Sequence, residues 1–381
     1  MNRVAILQLV RECPPSYGGG ERVAHELAME WLRHGIDVTT FCLQPKENNR
    51  EMLPYSVPYK ITALPRLSFG KLLLPLPSWG LICLLNRKDP LHVHLPCPAM
   101  LVVSILARLR HPKRFVHLHW HAFLQPPPGL HGLLIRLYQW LALRWVATGV
   151  QAVITTSPVL ACALEEEGVP PGKIHILPCC LGRYQEESSF RIALARRSRG
   201  SLPLSKSFRL LFIGRLESYK RVDWLIQAFS SSGASHLDIV GDGSRRRTFE
   251  RLAAASQKNI SITFHGRLDE KKKQTLMHQS HLLILPADSC NEAFGIVQIE
   301  AMACGVPALA LDCPRSGAAW VGRLKHVIGF PKLSREELTM AIDRLVDDQD
   351  LWMFACDAAE KRYSVCFARS NWQEKFAAHL V

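Results

Sequence analysis

The sequence contains twelve cysteines, but no two of them are separated by two residues. Zinc ribbons and dithiol redox sites use Cys-x-x-Cys pairs, so this absence argues against both classes. Cys179 and Cys180 are adjacent in sequence and therefore awkward to bridge. We expect free thiols and, with them, a reducing cytosolic environment.

An apolar run long enough to cross a membrane is also missing. The longest apolar stretch, residues 67–85, is broken by Lys71, Pro75 and Pro77, whereas a spanning helix needs about 20 mostly apolar residues. The opening MNRVAILQLVREC is interrupted by charges and precedes no small-residue cleavage site. It is typical of a buried strand rather than of a signal peptide. We expect no membrane crossing, although 67–85 can lie on a membrane surface.

Acidic residues are scarce: Lys and Arg number 47, Asp and Glu 33, and the net charge is +14. Such a balance suits nucleic acid, an acidic membrane surface or a phosphorylated ligand. In residues 60–114, Asp89 is the single acid among nine bases: Lys60, Arg66, Lys71, Arg87, Lys88, Arg108, Arg110, Lys113 and Arg114. These bases alternate with apolar residues, which predicts docking on the anionic inner membrane face. A solvated basic loop around a packed helix is the alternative.

Nucleic acid is the rival partner for this charge. The basic runs 245–247 and 271–273 have no aromatic RNP-like strand or zinc module beside them. We interpret both as solvated helix faces and expect no nucleic-acid partner.

Composition excludes a disordered chain, because hydrophobic residues make up 48% and charged residues 21% of 381 residues. Short apolar runs alternate with amphipathic ones up to about residue 183 and again from 208 onward, which predicts parallel sheets with helical crossovers. We therefore expect an α/β chain with two doubly wound, Rossmann-like domains, 1–185 and 208–365. Residues 186–207 would be a linker, and 366–381 a helix crossing back to the first domain. The cleft between the domains is the expected site.

The segment NEAFGIVQIEAMACGVP (291–307) follows a predicted strand. We expect a helix to begin near Phe294, so that the free amides of residues 294–296 form an anion site. Glu292 stands just before this turn, and Glu300 lies two turns deeper, where a carboxylate can bind ribose hydroxyls. An ordinary buried helix with a solvated Glu at each end is the alternative.

Two cations follow another predicted strand in FIGRLESYKR (212–221). Arg215 directly follows the strand and Lys220 begins the next helix, so the pair could clamp a diphosphate and stabilise it as it departs. A solvated pair at a helix start is the alternative. The glycine turns at 240–244 and at Gly18 to Gly20 are weaker signals, and the latter lacks the G-x-G-x-x-G spacing of nicotinamide folds.

Histidines alternate along two predicted strands. His92 and His94 share one face of the first, and residues 117, 119 and 121 are all histidine along the second. Three imidazoles on one face suggest zinc. Because no Asp or Glu lies near them in sequence, we expect hydrogen bonding and no metal. His121, just past its strand, is best placed to reach the cleft.

Together these segments resemble family-4 retaining glycosyltransferases, which have the two-Rossmann GT-B architecture. The likeness runs from the N-terminal glycine loop through HVHLPCP, HLHWHAF and TSPVLACALEEEGV to FIGRLESYKRVDWLIQAF, VGDGS and LPADSCNEAFGIVQIEAMACGVPALA. It therefore covers nearly the whole chain, and the last segment is highly specific.

The resemblance implies roles for individual residues. Arg215 and Lys220 would bind the donor diphosphate, and Glu300 the ribose. The other implied donor contacts are Glu292 with the backbone of Ala293, Phe294, Gly295 and Ile296 for the sugar and its phosphate, Arg267 near the base, His121 by the reacting sugar, and Gly18 and Gly19 near the phosphates. It also implies a metal-independent hexosyltransferase with no cofactor that retains the anomeric configuration.

The chain departs from the family pattern near 313–318 and 321–331, where it has fewer glycines. Family members contact phosphates or the acceptor near these stretches, so the resemblance defines the identity of the acceptor least well. HLP-x-P and WHAF look like segments of mannosyltransferases that build bacterial surface polysaccharide. They favour GDP-mannose over a UDP-sugar as donor, and a saccharide or lipid-linked acceptor. A sugar-nucleotide epimerase of the same shape and a non-catalytic scaffold subunit remain the alternatives.

Overall fold

The computed structural model describes residues 4–13, 18–44, 57–69, 72–198, 207–256, 261–323 and 334–380. The chain divides into two compact units. The first comprises Met1–Pro178 with Gln373–Val381, and the second comprises Cys179–Trp372.

The first unit contains a seven-stranded parallel sheet in the order β3-β2-β1-β6-β7-β8-β9. Its strands, with the separate hairpin β4–β5, are β1 (Ala5–Val10), β2 (Asp37–Leu43), β3 (Lys60–Leu64), β4 (Arg66–Phe69), β5 (Leu72–Pro75), β6 (Leu91–Leu95), β7 (Val116–Trp120), β8 (Ala152–Thr155) and β9 (Ile174–Ile176). Its helices are α1 (Gly19–Arg33), α2 (Trp79–Asn86), α3 (Pro98–Arg110), α4 (Leu130–Gly149) and α5 (Pro158–Glu166).

The second unit contains a five-stranded parallel sheet in the order β12-β11-β10-β13-β14. Its strands are β10 (Arg209–Ile213), β11 (His236–Val240), β12 (Ser261–Gly266), β13 (Leu282–Leu285) and β14 (Ala308–Ala310). Its helices are α6 (Arg183–Ser198), α7 (Val222–Ser231), α8 (Arg246–Ala254), α9 (Glu270–Gln279), α10 (Ile296–Ala303), α11 (Ala318–Gly322), α12 (Arg335–Asp347) and α13 (Gln349–Cys366). The last helix, α14 (Arg369–Leu380), begins in this unit.

The predicted α/β class with two parallel sheets is confirmed. Strands buried on both faces give nearly continuous apolar runs, as in β13, all of whose residues are buried. β3, the β4–β5 hairpin and β9 were not predicted. β9 is three residues long and only half-buried, so its pattern is weak.

The segment expected to be a linker, 186–207, is helical over its described residues up to Ser198. Its residues up to Ser198 belong to α6, which packs against α9 and α10 within the second unit. The change of unit therefore falls at Pro178, ahead of the polar stretch. Residues 199–206 lie outside the described part of the chain.

The end of α14 packs on α1. The indole of Trp31 donates to the carbonyl of Leu380 over 3.3 Å. The Phe376 ring lies 5.8 Å from that of Trp31, and Gln373 donates to both carboxylate oxygens of Glu30. The C-terminal residues from Gln373 onward are therefore part of the first unit.

The expectation that all cysteines are free thiols is wrong at one pair. Cys13, just after β1, forms a disulfide with Cys42 of β2, and their Cα atoms are 5.3 Å apart. β1 and β2 are adjacent parallel strands, so their carboxyl ends bring the two residues together although 29 residues separate them. In a reducing compartment the same geometry would hold two neighbouring thiols.

The basic segment 60–114 is less exposed than its sequence suggests. Arg114 is buried, and its guanidinium donates to the carbonyls of Asp89 and Leu84. Arg87 pairs with the Asp89 carboxylate at 2.7 Å. Lys71 lies outside the described residues. Arg108 in turn donates to the carbonyl of Arg114. At least three of the nine bases thus serve the unit's own packing, and no described helix has the length and hydrophobicity needed to cross a bilayer.

Candidate functional site

The sheet of the second unit reverses its strand order between β10 and β13, which lie side by side. In open parallel sheets the carboxyl ends of the strands at such a reversal are the usual ligand position. β10 leads into Arg215 and Lys220, and β13 leads into the loop that carries Glu292. The two predicted donor elements therefore flank one point of the sheet.

Lys220 and Glu292 are in direct contact. The Lys220 ammonium donates to the Glu292 carboxylate, and the two side chains are only 9% and 13% exposed. Lys220 ends a short 3₁₀ turn, Ser218–Lys220, rather than beginning a helix as predicted. The neighbouring Arg221 binds Asp288 at 3.0 Å, so the turn is also tied to the loop before Glu292.

Arg215 is exposed beside this ion pair and donates to the Tyr219 hydroxyl over 3.2 Å. Burial, and secondly the positive charge of Arg215, lowers the pKa of Lys220 to about 7. Two cations held this close repel each other, so the site favours an anionic ligand that would neutralise both.

The helix after Glu292 begins two residues later than predicted. Gly295 caps α10 with φ +70°, a left-handed conformation, and a Cβ there would lie 2.5 Å from Leu285. Glycine is therefore required, and the first free helical amides belong to Ile296 and the next residue. Glu300 lies about one turn into α10, rather than two.

The loop carrying Glu292 is fixed by residues that the sequence did not single out. The Ser316 hydroxyl donates to the Glu292 carbonyl, and the Gly317 amide donates to the Ala293 carbonyl over 2.9 Å. Both donors lie in 313–318, where the chain departs from the family pattern. The other departing stretch, 321–331, lies outside the described residues beyond Arg323.

Glu300 is buried and paired with a lysine. Its carboxylate lies 2.9 Å from the Lys273 ammonium, which also binds Glu270 at 2.8 Å. The interpretation of 271–273 as a solvated face is therefore wrong for Lys273, whose side chain is 12% exposed. The spacing of Lys273 on α9 gives no sequence signal, because its partner lies on another helix.

If Glu300 binds ribose, Lys273→Met should weaken nucleoside diphosphate binding about tenfold, since the buried carboxylate would lose its partner and bind a proton. Inorganic pyrophosphate affinity should stay unchanged because pyrophosphate has no ribose. Calorimetric titration of both ligands measures this split. Lys271→Met, an exposed change in the same run, is the matched control, and equal affinities for the two variants would contradict the prediction.

Two further predicted features follow other strands of the same sheet. Arg267 is exposed just after β12, and β11 and β10 separate that edge strand from β13. In the 240–244 turn, Gly241 has φ +131° and a Cβ would lie 1.9 Å from the Gly214 carbonyl oxygen. The glycine thus lets the turns after β10 and β11 approach closely.

The first unit reverses its strand order between β1 and β6. Gly18 caps α1, and Gly19 and Gly20 form its first turn instead of preceding it. A Cβ on Gly20 would lie 3.8 Å from the His121 ring, which directly follows β7. The predicted glycine loop and His121 are therefore neighbours.

A hydrogen-bond chain crosses four adjacent strands to reach His121. Thr40 donates to Gln8 over 3.0 Å, the Gln8 amide lies 3.1 Å from His94 Nε2, and His94 Nδ1 lies 2.8 Å from His121 Nε2. Because Gln8 Nε2 can only donate, His94 accepts there and carries its proton on Nδ1. His121 Nε2 then accepts, which leaves the His121 proton on Nδ1.

The histidines form a packed cluster. The rings of His94 and His119 stack at 5.3 Å with an interplanar angle of 8°. The ligand atoms of His92, His94 and His119 lie within 4.8 Å of one another. The parallel planes of the His94 and His119 rings do not direct their lone pairs at one ion, whereas the His92 ring is tilted against both. The expected hydrogen bonding is found at His94 but not at His92 or His119, whose ring nitrogens have no hydrogen-bond partner among the described residues. The expected absence of a metal stays a prediction.

Burial depresses the pKa of every histidine in the cluster, to about 4 for His117 and His121 and well below 6.5 for the other three. Unfolded histidine binds protons from about pH 6.5 downward. Stability is therefore full above that pH and falls as pH drops toward 4, by up to about 1.4 kcal/mol per unit for each histidine. Urea unfolding of the first unit between pH 7.5 and 5 measures the slope. His117→Gln removes one titrating histidine and should reduce this pH slope by up to about 1.4 kcal/mol per pH unit. An unchanged slope would contradict the prediction.

Comparison with known families covers most of the chain. Residues 17–181 match "Glycosyltransferase Family 4", and residues 196–362 match "Glycosyl transferases group 1". The O-antigen chain mannosyltransferase C of Escherichia coli is 24% identical over 97% of this chain and 93% of its own length.

Solved structures agree with the fold. Sucrose-phosphate synthase from Thermosynechococcus elongatus superposes with a TM-score of 0.76 at 18% identity over 99% of this chain and 98% of that one. The Anabaena protein HepE, solved with UDP-glucose, has a TM-score of 0.75 at 18% identity over 99% of both chains. With its two matching family regions, the chain belongs to glycosyltransferase family 4 and is a glycosyltransferase of the GT-B fold.

Proposed function

We propose that this glycosyltransferase moves a sugar from a nucleotide-sugar to a saccharide or lipid-linked acceptor, with retained anomeric configuration and without a divalent cation. The observation that carries the proposal is the buried Lys220–Glu292 contact beside Arg215 at the strand-order reversal of the second unit. This arrangement places two cations, Lys220 and Arg215, where they could bind a diphosphate, next to the Glu292 carboxylate, which could bind a sugar.

The charges define the chemical step. When the bond from the sugar to the diphosphate breaks, negative charge grows on the departing phosphate. Lys220, Arg215 and the first amides of α10 would stabilise it. When a donor phosphate binds the Lys220 ammonium, it would replace the Glu292 carboxylate there. Glu292 would then be available to accept hydrogen bonds from the sugar hydroxyls. The acceptor hydroxyl would attack on the face from which the diphosphate leaves and give its proton to the departing phosphate oxygen.

His121 would act as a neutral group. Burial lowers its pKa to about 4, and the hydrogen-bond chain from Gln8 leaves its proton on Nδ1. A neutral imidazole can donate one hydrogen bond to a hydroxyl without repelling the positive charge that develops on the sugar as the diphosphate leaves. Gly18 and Gly19, at the start of α1, would let a phosphate or sugar approach the backbone.

GDP-mannose is the donor we favour. The Escherichia coli relative is named as a mannosyltransferase and aligns over nearly the whole chain, and the HLP-x-P and WHAF segments point the same way. A UDP-sugar is the next candidate, because HepE was solved with UDP-glucose. The acceptor class, saccharide or lipid-linked, follows from the O-antigen in the relative's name.

We also propose that the chain is cytoplasmic and peripheral on the inner membrane face, where the remaining exposed bases of 60–114 would meet anionic lipid. This position would give it access to lipid-linked acceptors. Its support is the charge of the segment and the absence of a spanning helix among the described residues.

The test is a thermal-shift titration with GDP, UDP and ADP. One nucleotide should raise the unfolding temperature, since a ligand at 100 times its Kd adds about 2.7 kcal/mol of stability. Release of that nucleoside diphosphate from its sugar donors, with and without membrane extract, then measures turnover. Acceptor-dependent release supports transfer, whereas donor conversion without acceptor indicates an epimerase, and failure to bind any of the three nucleotides indicates a scaffold.

A further inference from the structure

Helix α4 carries an apolar stripe that the first unit does not cover. Its members are 47% to 74% exposed and are spaced three, four and seven residues apart, so they share one side of the helix. We call the following set the α4 stripe: Leu130, Leu133, Leu134, Leu137, Trp140 and Leu141. The helix buries a different side, at Ala142, Leu143 and Val146. Only that second side is explained by the packing of the unit.

A neighbouring helix adds to the apolar surface. α3 packs against α4 and exposes Val102, Leu106 and Leu109, again spaced four and three residues apart. Soluble surfaces rarely expose this many large aliphatic side chains together, and such patches mark interaction sites.

The charge around the stripe identifies the kind of partner. The sequence contains no Asp or Glu between Asp89 and Glu165. Arg136 and Arg144 are exposed on α4, and Arg110 is exposed at the end of α3. A second copy of this chain packed on the same surface would bring like charges together. An anionic lipid headgroup complements them, at about 1 kcal/mol for each basic residue.

The dimensions of α4 favour a helix lying along the bilayer. It has 20 residues, but Arg144 falls among the apolar residues of its exposed side and Arg136 lies at the edge of that side, and it does not qualify as a spanning helix. An exposed stripe of Leu and Trp flanked by Arg is the pattern of helices that bury one face at the boundary between headgroups and acyl chains. Trp140 is suited to that boundary because its ring is apolar and its N–H is polar.

We propose that the α4 stripe is the membrane-binding element of this protein and inserts into the headgroup boundary of an anionic bilayer, with Arg136 and Arg144 at the lipid phosphates. This moves the main contact to α4 and keeps only the exposed face of α3 from residues 60–114, a segment in which Arg87, Arg108 and Arg114 are already engaged. The biological meaning rests on the proposed transfer to a lipid-linked acceptor, whereas the binding itself does not.

Flotation with vesicles tests the proposal. The full chain at low salt is mixed with phosphatidylcholine vesicles, with or without phosphatidylglycerol. The stripe variant carries Leu133→Ser, Leu134→Ser and Leu137→Ser. The control variant removes three equally exposed apolar side chains from the second unit, by Met340→Ser, Phe354→Ser and Val365→Ser. Circular dichroism and unfolding temperature verify that both variants fold.

The wild type and the control should float with the anionic vesicles, and the stripe variant should partition at least about tenfold more weakly, because three leucines no longer enter the apolar layer. Equal flotation of the stripe and control variants, or no flotation of the wild type, would overturn the proposal. A dimer that the stripe substitutions dissociate while vesicle binding stays unchanged would overturn it too, in favour of a second copy.

Fluorescence of Trp140 gives a second measurement, which does not depend on folding of the triple variant. Vesicles of brominated anionic lipid should quench part of the wild-type tryptophan emission, and Trp140→Phe should remove that part. Quenching that persists in Trp140→Phe would place another tryptophan at the lipid and contradict the proposal. Nucleotide thermal shifts are measured on the same samples. Nucleotide binding without flotation rejects the membrane proposal alone, and flotation without any nucleotide binding rejects the proposed function alone.

Discussion

Replacing Lys220 by alanine is expected to lower turnover by at least about 100-fold, the usual effect of removing one group that stabilises developing charge. Lys220 is the buried cation of the proposed diphosphate site, and its partner Glu292 is the proposed sugar ligand. Initial rates of nucleoside diphosphate release at saturating donor measure the change. Near-normal turnover in the folded variant would refute the role.

Loss of stability must be separated from loss of catalysis in this variant. Lys220→Ala leaves the Glu292 carboxylate buried without its partner, which costs about 3–5 kcal/mol in comparable cases. The double variant Lys220→Met, Glu292→Gln removes both charges and keeps the volume. We expect it to recover most of the unfolding temperature and none of the turnover. Recovery of both would mean that the pair serves the fold alone.

Replacing Arg215 by alanine should lower kcat/KM about 100-fold with little change in stability. Arg215 is exposed, and its hydrogen bond goes to the Tyr219 hydroxyl, so the stability change should stay within about 0.5 kcal/mol. Arg247→Ala removes the same charge from another exposed position of the second unit and is the matched control. Equal kcat/KM for the two variants would exclude Arg215 from the diphosphate site.

The same variant has a distinct pH signature. The positive charge of Arg215 helps burial to lower the pKa of Lys220 to about 7. Without Arg215 the protonated ammonium is less disfavoured, so the pKa of Lys220 rises. If transfer requires protonated Lys220, the residual activity of Arg215→Ala should extend to higher pH than that of the wild type. A pH–rate profile measures this shift, and an unchanged alkaline limb would show that Lys220 is not the titrating group.

Strand–helix alternation carried most of the fold prediction. β10 and β13 are apolar runs buried on both faces, and each ends in a turn whose residue types are chemically specific. Their adjacency in the sheet could not be read from the sequence, because strand order depends on crossovers. It is nevertheless the feature that places Lys220 beside Glu292.

The sequence does not predict which side chains on different helices and strands contact each other. Lys273 looks like one base in a solvated run, yet it pairs with Glu300 of another helix. Gln8 and Thr40 look like ordinary polar residues of two strands, yet they connect through His94 to His121. The polar composition of 186–207 predicts a linker, whereas its residues up to Ser198 belong to α6, which packs against α9 and α10. Periodicity reports which side of an element is apolar, and not what covers it.

The central claim is that Arg215, Lys220 and the first amides of α10 bind one pyrophosphate. A crystal structure of the protein with the nucleoside diphosphate selected by thermal shift tests it most directly. We expect phosphate oxygens within hydrogen-bond distance of the Lys220 ammonium, the Arg215 guanidinium and the Ile296 amide, with Glu300 on the ribose hydroxyls. A diphosphate bound elsewhere, with the Lys220–Glu292 pair unchanged, would contradict the account.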